Sequence, residues 1–473
     1  MKIRLTIALA AALLGPAGIA ATSTEDAHAL ARDLFKELIE IDTSGDIGST
    51  VAANHMAQRL RAAGFPAADV QVLGPTSQKQ NVVVRLRGNG KKKPVLLIGH
   101  LDVVTALRSD WSVDPYKFIE KDGFFYGRGT QDMKDGVAIM VTTLIRYRQE
   151  GLRPDRDIIL ALTADEESGA QNGVEWLLKN HRELVDAEFV LNHDGGGVWL
   201  ENGKPVQIDV GASEKVYADF ALVTHNPGGH SSLPVQDNAI YSLADAVQRI
   251  GRFTFPFELN NVTRAYFDVM KTRVDARKAA TFQGVLKTPP DPDAVARMSS
   301  DTIDNSITHT TCVATRLEAG HANNALPQMA RAIVNCRILP GHSPEEVRRA
   351  LVQVIGNPAV DVHYVNVDGS LAPEAPQTEG LAPPPLRAEV MRPLERIARK
   401  MWPAVPIVPI MSAGASDGVY TSAAGLPTYT ISGEAIERDD VRAHGQDERI
   451  LVTSFYRAVD FYYEYLRAVV TYK

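Results

Sequence analysis

Through roughly its first two hundred residues the chain alternates apolar strand-like runs with helical segments, and no other feature limits the fold as much. Strand-like runs fall at Asn81–Leu86, Pro94–Gly99, Asp157–Leu162 and Glu188–Leu191. Helices are predicted over Leu30–Ile41, Val51–Ala63, Gly136–Arg148 and Gly173–Asn180. This alternation predicts an α/β fold: a mostly parallel sheet flanked by helices on both faces.

The pattern changes near Ala212. Lys215–Val223 alternates, Gly228-Gly229-His230-Ser231-Ser232 reads as a turn, and a helix follows over Asn238–Ile250. The stretch Phe253–Ser306 is polar, contains proline and reads as an irregular insertion. Strands return at Thr310–Leu317, Ala330–Leu339 and Val360–Val367, with a helix at Glu345–Ile355. These elements predict a smaller α+β domain over residues 213–370, inserted into a larger one built from 22–212 and 371–473. Ala372–Pro385, rich in proline and alanine, is the expected return linker. A helix at Leu386–Met401, a strand near Pro427–Ile431 and a helix after Glu448 complete the larger domain.

Residues 1–21 stand apart. Lys2 and Arg4 precede the apolar stretch Leu5–Leu14, Gly15-Pro16 breaks it, and small residues follow to Ala21. This is the pattern of a secretory signal peptide, and it predicts a secreted or periplasmic protein. No later apolar run is long enough to span a membrane, so no membrane association is expected after cleavage. A net charge of -7 without a sustained basic run argues against a nucleic-acid partner. The two cysteines, Cys312 and Cys336, are too few for a structural zinc site. Export permits them to pair, and two buried thiols are equally compatible with the sequence.

Chemistry collects where strands of such sheets end at their carboxyl edges. Pro94–Gly99 runs into His100-Leu101-Asp102, and Asp157–Leu162 into Thr163-Ala164-Asp165-Glu166-Glu167. Glu188–Leu191 runs into Asn192-His193-Asp194, and His444 follows the late strand. Asp132 precedes a predicted helix. Two histidines and three carboxylates suit a pair of borderline divalent ions, zinc above all, with cobalt or manganese as alternatives. Of the adjacent pair Glu166-Glu167, one carboxylate can bind metal while the other stays free as general base. Each motif alone is weak. Together they place charge repeatedly at the ends of buried strands, where it is costly unless paired or metal-bound.

Gly99-His100-Leu101-Asp102, Gly127–Lys134, Asp165-Glu166-Glu167-Ser168-Gly169, Gly228–Ser232 and His444-Gly445 together resemble the dinuclear zinc exopeptidases and amidohydrolases. That family includes aminoacylase, glutamate carboxypeptidase, carboxypeptidase S, carnosinase-type dipeptidases and succinyl-diaminopimelate desuccinylase. The resemblance runs in order over nearly the whole chain after the leader. It implies that His100, Asp132 and Asp194 hold one metal, and that Asp132, Glu167 and His444 hold the other. His193 is the fallback ligand in place of Asp194, because three glycines after Asp194 loosen the match. It further implies that Asp102 orients His100 and that Glu166 is the general base and acid. The inserted domain resembles the family's lid, with His230 stabilising the oxyanion, in some relatives from a partner subunit. Arg337 is the implied clamp for a substrate carboxylate, with a salt bridge within the lid as the alternative. Asn324 and the Ser412–Gly418 loop, Gly414 included, match substrate-contacting segments.

The expectation is therefore a metal-dependent amidase acting on small peptides, of carboxypeptidase or dipeptidase type. Asp194 leans toward dipeptides, while Thr310-Thr311-Cys312 and Asn335–Gly341 lean toward the carboxypeptidase S branch. An N-acyl-amino-acid amidohydrolase is the alternative, and a metal- or peptide-binding protein without catalysis is a rival of another class. A homodimer formed through the lid is compatible with the resemblance.

Overall fold

The computed structural model describes residues 23–377 and 382–472. The expected signal peptide therefore lies outside the described residues, as does part of the return linker.

Two separate main sheets organise the chain. At the centre of the larger, ten-stranded sheet lie Ile158–Thr163, Val95–His100, Phe189–Asn192 and Thr428–Thr430, all parallel. Asn81–Leu86 joins antiparallel on one side, and the long strand Lys204–Glu214 joins antiparallel on the other. Every residue of Val95–His100 and of Ile158–Thr163 is buried. The pleat explains this: Val95 and Leu97 face one apolar layer with the helices Thr24–Ile39, Lys134–Gln149 and Val452–Val470. Leu96 and Ile98 face the other, with Leu177, Val185 and Leu426. Among the described residues no helix is long and apolar enough to cross a membrane.

The smaller sheet is antiparallel and five-stranded, with Met329–Ile338 between Thr311–Ala319 and Val216–His225, and Val360–Val365 beyond. Helices Ala239–Arg252 and Pro344–Ile355 cover one face and share its apolar core. Cys312 and Cys336 lie directly opposite each other on neighbouring strands and form a disulfide.

The irregular insertion expected over Phe253–Ser306 is instead four short helices: Asn261–Met270, Ala276–Val285, Pro292–Ser300 and Thr302–Thr308. Asn260, Asp275, Asp291 and Asp301 cap their N-termini through side-chain oxygens. Phe267, Phe282, Val285, Ala294 and Met298 give this subunit of structure its own small core. Lys215, fully buried at the junction of the two sheets, anchors its end by donating to the carbonyls of Ser306 and His309.

Candidate metal centre and active site

The parallel strands deliver three chain segments to one edge of the large sheet. His100 is the last residue of its strand, Glu166-Glu167 follow the next strand, and Asp194 follows the third. Asp132 enters from the loop before the Lys134–Gln149 helix, and His444 from a loop before the C-terminal helix. Potential ligand atoms of His100, Asp132 and Asp194 all lie within 4.8 Å of one another, as do those of Asp132, Glu167 and His444. Glu166 lies equally close to His100 and Glu167. Asp132 belongs to both ligand groups: its Oδ1 is 3.0 Å from His100 Nε2 and its Oδ2 is 2.9 Å from His444 Nε2. His444 Nε2 is also 3.1 Å from Glu167 Oε2.

Two backbone devices hold this arrangement. Asp165 takes a left-handed conformation, φ 63°, and its carboxylate accepts from buried Lys79, from the Ser168 hydroxyl and from the Gln171 N–H. That turn aims Glu166 and Glu167 into the cleft. The second device is a latch between distant loops. The buried Glu448 carboxylate accepts from the N–H groups of Gly129, Gln131 and Asp132 and pairs with Arg128 at 2.6 Å. Arg128 in turn donates to the Gly445 carbonyl. The Gln131 side chain accepts from the Arg442 and Ala443 N–H groups. Asp132 and His444 are thereby fixed against each other although more than three hundred residues separate them.

Asp102 lies between His100 and the Glu166-Glu167 turn. His100 Nδ1 lies 3.0 Å from the Asp102 main-chain carbonyl and 3.9 Å from its carboxylate. The carboxylate is occupied instead with the N–H groups of Glu166 and Glu167, at 3.2 and 3.1 Å. It therefore sets the Glu166-Glu167 turn more directly than the imidazole. His193 is not part of either ligand group. It is buried against the Tyr462 ring, with Nδ1 3.4 Å from Glu434. The three glycines after Asp194 make a tight turn with φ of 113°, 75° and 99°, and a Cβ at Gly196 would lie 2.7 Å from the Thr430 carbonyl.

The electrostatics describe a site overloaded with negative charge. Burial pushes the Glu166 carboxyl up to about 10, with Asp194, Asp417 and Glu167 adding to it against His100. Burial likewise raises Asp194 to about 8 and Glu167 to about 7. Burial would also raise Asp132, but the hydrogen bonds from His100 and His444 outweigh it and hold it well below the usual carboxylate range. The bond to Asp132 raises His444 to about 9. Glu167 Oε1 is buried with no hydrogen-bond partner. Clustered carboxylates, two imidazoles and an orphaned ligand oxygen fit a pair of divalent cations, which would remove the repulsion.

Asp417 was not singled out by sequence reasoning, although it ends the Ser412–Gly418 loop. It is buried, accepts from Thr163 and Asn172, and is pushed up to about 6 by burial. Gly414, in the same loop, is exposed and donates to Ser412 Oγ.

The residues expected from the smaller sheet lie apart from the cluster. Gly229–His230 forms a two-residue strand with Ala325–Leu326, next to exposed Asn324. His230 is exposed, and its Nδ1 accepts from the Ser232 N–H. Arg337 projects from Met329–Ile338 and stacks 4.7 Å over the Tyr217 ring. Among the described residues it has no carboxylate partner, so the alternative of a salt bridge within the smaller sheet is not formed.

The fold and site together define a metallohydrolase with a mixed α/β core and ligands at the carboxyl edge of its parallel strands. A family profile described as Peptidase family M20/M25/M40 matches residues 96–468, and the chain belongs to that family. It is 28% identical over 380 residues to the N-fatty-acyl-amino acid synthase/hydrolase PM20D1 of Xenopus tropicalis, covering 79% of this chain and 72% of the relative. It is also 28% identical to the probable carboxypeptidase S-like 2 of Dictyostelium discoideum, covering 79% and 71%. In fold it is similar to the crystal structure of an M20 family metallo-carboxypeptidase from Sulfolobus solfataricus. The TM-score there is 0.68 at 19% identity, over 93% of this chain and 99% of that one.

Proposed function

We propose that the chain cleaves the amide bond joining a carboxy-terminal amino acid to the rest of a small peptide, as a two-zinc exopeptidase of carboxypeptidase or dipeptidase type. The observation that carries this reading is the convergence of His100, Asp132 and Asp194 with Asp132, Glu167 and His444, Asp132 being common to both groups. These five residues would hold two divalent ions, zinc by donor type, which when bound supply an acidified water and a polarised carbonyl. Glu166, close to the ligands but not needed to complete either group, takes the water's proton and passes it to the leaving amine. Arg337, which has no carboxylate partner among the described residues, receives the substrate's terminal carboxylate as a fork. His230 reaches the developing oxyanion when the lid closes or when a second copy supplies it through a lid-mediated dimer. A disulfide in the small sheet supports an oxidising compartment, and with the leader-like N-terminus we place the protein outside the cytoplasm.

A second reading changes only the acyl side. The relative from Xenopus is named for N-fatty-acyl amino acids, and the aminoacylases belong to the family that this chain's motifs resemble. The same residues then release the amino acid from an acyl group. A panel of dipeptides, blocked peptides and N-acyl amino acids, run with added zinc, cobalt or manganese, tests both readings. Failure to hydrolyse any member would remove them together.

A further inference from the structure

The helical segment between Arg252 and Thr311 leaves the small sheet and returns to it, but it does not stay there. Its apolar residues pass through three cores in order. Phe255 packs against the core of the small sheet, Phe257 and Leu259 against the segment's own core, and Val262 is fully buried within the core of the large sheet. On the way back, Ile307 packs against the last two of these. Polar contacts follow the same route. Both Glu258 carboxylate oxygens lie 3.0 Å from Nε2 of His342, on the small domain. Asn260 caps the Asn261–Met270 helix through its side-chain oxygen, and its amide donates to the Met411 sulfur at 3.3 Å, in the large-sheet strand Ile407–Ser412. The Asn261 amide donates to the Pro384 carbonyl at 3.1 Å.

Two chain crossings join the domains, one at Lys215 and one through the return segment. Joined by those alone, the domains would turn about them, since interfaces between domains of one chain are mobile by default. The segment adds a third connection, which is packed and not merely tethered. Turning the small domain would pull Phe255 or Val262 out of a close-packed core, whose contacts are lost outright once a gap opens. We infer that residues 253–310 brace the two domains at a fixed angle, so that substrate enters the site without hinge closure. Of the two routes given for His230, a fixed angle leaves supply by a second copy. The brace holds whichever amide the enzyme cleaves.

The test is a distance between spin labels. Gln353→Cys and Arg396→Cys, exposed on the helices Pro344–Ile355 and Ala388–Met401, place one label on each domain. The native cysteines are held in their disulfide and take none. Double electron–electron resonance on the zinc-loaded protein is expected to give one narrow distance, unchanged by a phosphinate dipeptide analogue at a concentration that blocks hydrolysis. In Val262→Asp a charge cannot stay in the apolar core. The distribution is then expected to broaden about twofold or more. Should that variant fail to fold, Val262→Ala combined with Asn261→Ala trims the same contact and is expected to broaden the distribution less. A distance that changes with the analogue, a broad distribution without any brace substitution, or folded variants that stay equally narrow overturns the brace. Where no substrate is hydrolysed the proposed function falls, and the comparison with the Val262 variants still decides the brace.

Discussion

Among individual residues, the sharpest division of labour is between Glu166 and Glu167. Both are partly buried beside His100, but only Glu167 completes a ligand group with Asp132 and His444. Glu166→Gln keeps size and hydrogen bonding while removing the proton carrier, so kcat is expected to fall about 10²–10⁴-fold with metal content near that of the unaltered protein. Kinetics paired with elemental analysis of the same preparation checks this, and loss of metal in parallel with activity would make Glu166 a ligand instead. Glu448 tests the latch. Glu448→Gln leaves Arg128 charged and buried without its partner, at an expected cost of about 3 kcal/mol in urea unfolding, and loosens Asp132 and His444 together. Much of the candidate ligand group was legible because His100 ends an apolar run and Glu167 and Asp194 follow such runs within a few residues, where an unpaired charge has no structural excuse. Glu448, Arg128 and Asp417 were not, because each acts through a loop far away in sequence. Asp102 was legible as a participant beside His100, while only the fold shows that its carboxylate also faces two N–H groups.

Segments bounded by strong apolar patterns were read well. Asn81–Leu86 and Gly173–Asn180 are found with the same limits in the structure. The antiparallel flanks of the large sheet carry no local signature, since strand direction is decided by the connection and not by the strand. The four helices between residues 261 and 308 were missed because each is too short for a clear apolar stripe, yet their Asn and Asp caps were visible. In the small domain, Glu345 joins helix to return segment: its carboxylate accepts from Arg348, Arg349 and the Ala375 N–H. The Arg348 bonds lead in pulling its carboxyl down from 4.5 to about 2. A lowered folded value means that protonation is resisted in the folded state. The group's stabilisation is therefore present above about pH 4.5 and is lost as pH falls through about 2. Glu345→Gln is expected to be less stable than the unaltered protein at pH 7. The two should converge as the pH falls toward 2, as read by urea unfolding across that range. A constant gap would remove Glu345 from the acid response.

For the molecule as a whole, the metal centre is where distant parts of the chain are drawn together against their own repulsion. Segments carrying His100, Asp132, Glu167, Asp194 and His444 span most of the sequence, so ions held by all of them bind the folded state and not the unfolded one. Chelation is then expected to lower Tm, and zinc to restore it. The size of the effect carries a pH signature. Without metal, Glu166, Asp194 and Glu167 have folded values raised to about 10, 8 and 7, mainly by burial. A carboxyl raised on folding contributes stability that is full below its unfolded value near 4 and is lost as pH rises through the folded value. The metal-free protein should thus weaken steadily from about pH 5 to 9, as each carboxylate is forced to ionise beside the others. Bound cations neutralise the same carboxylates, so the loaded protein should lack that decline. The gap in Tm between zinc-loaded and chelator-treated protein is expected to widen across this range, measured by calorimetry at matched ionic strength. A gap that stays constant or narrows would mean that the clustered acids are relieved by something other than a cation, and the two-metal reading would lose its electrostatic basis.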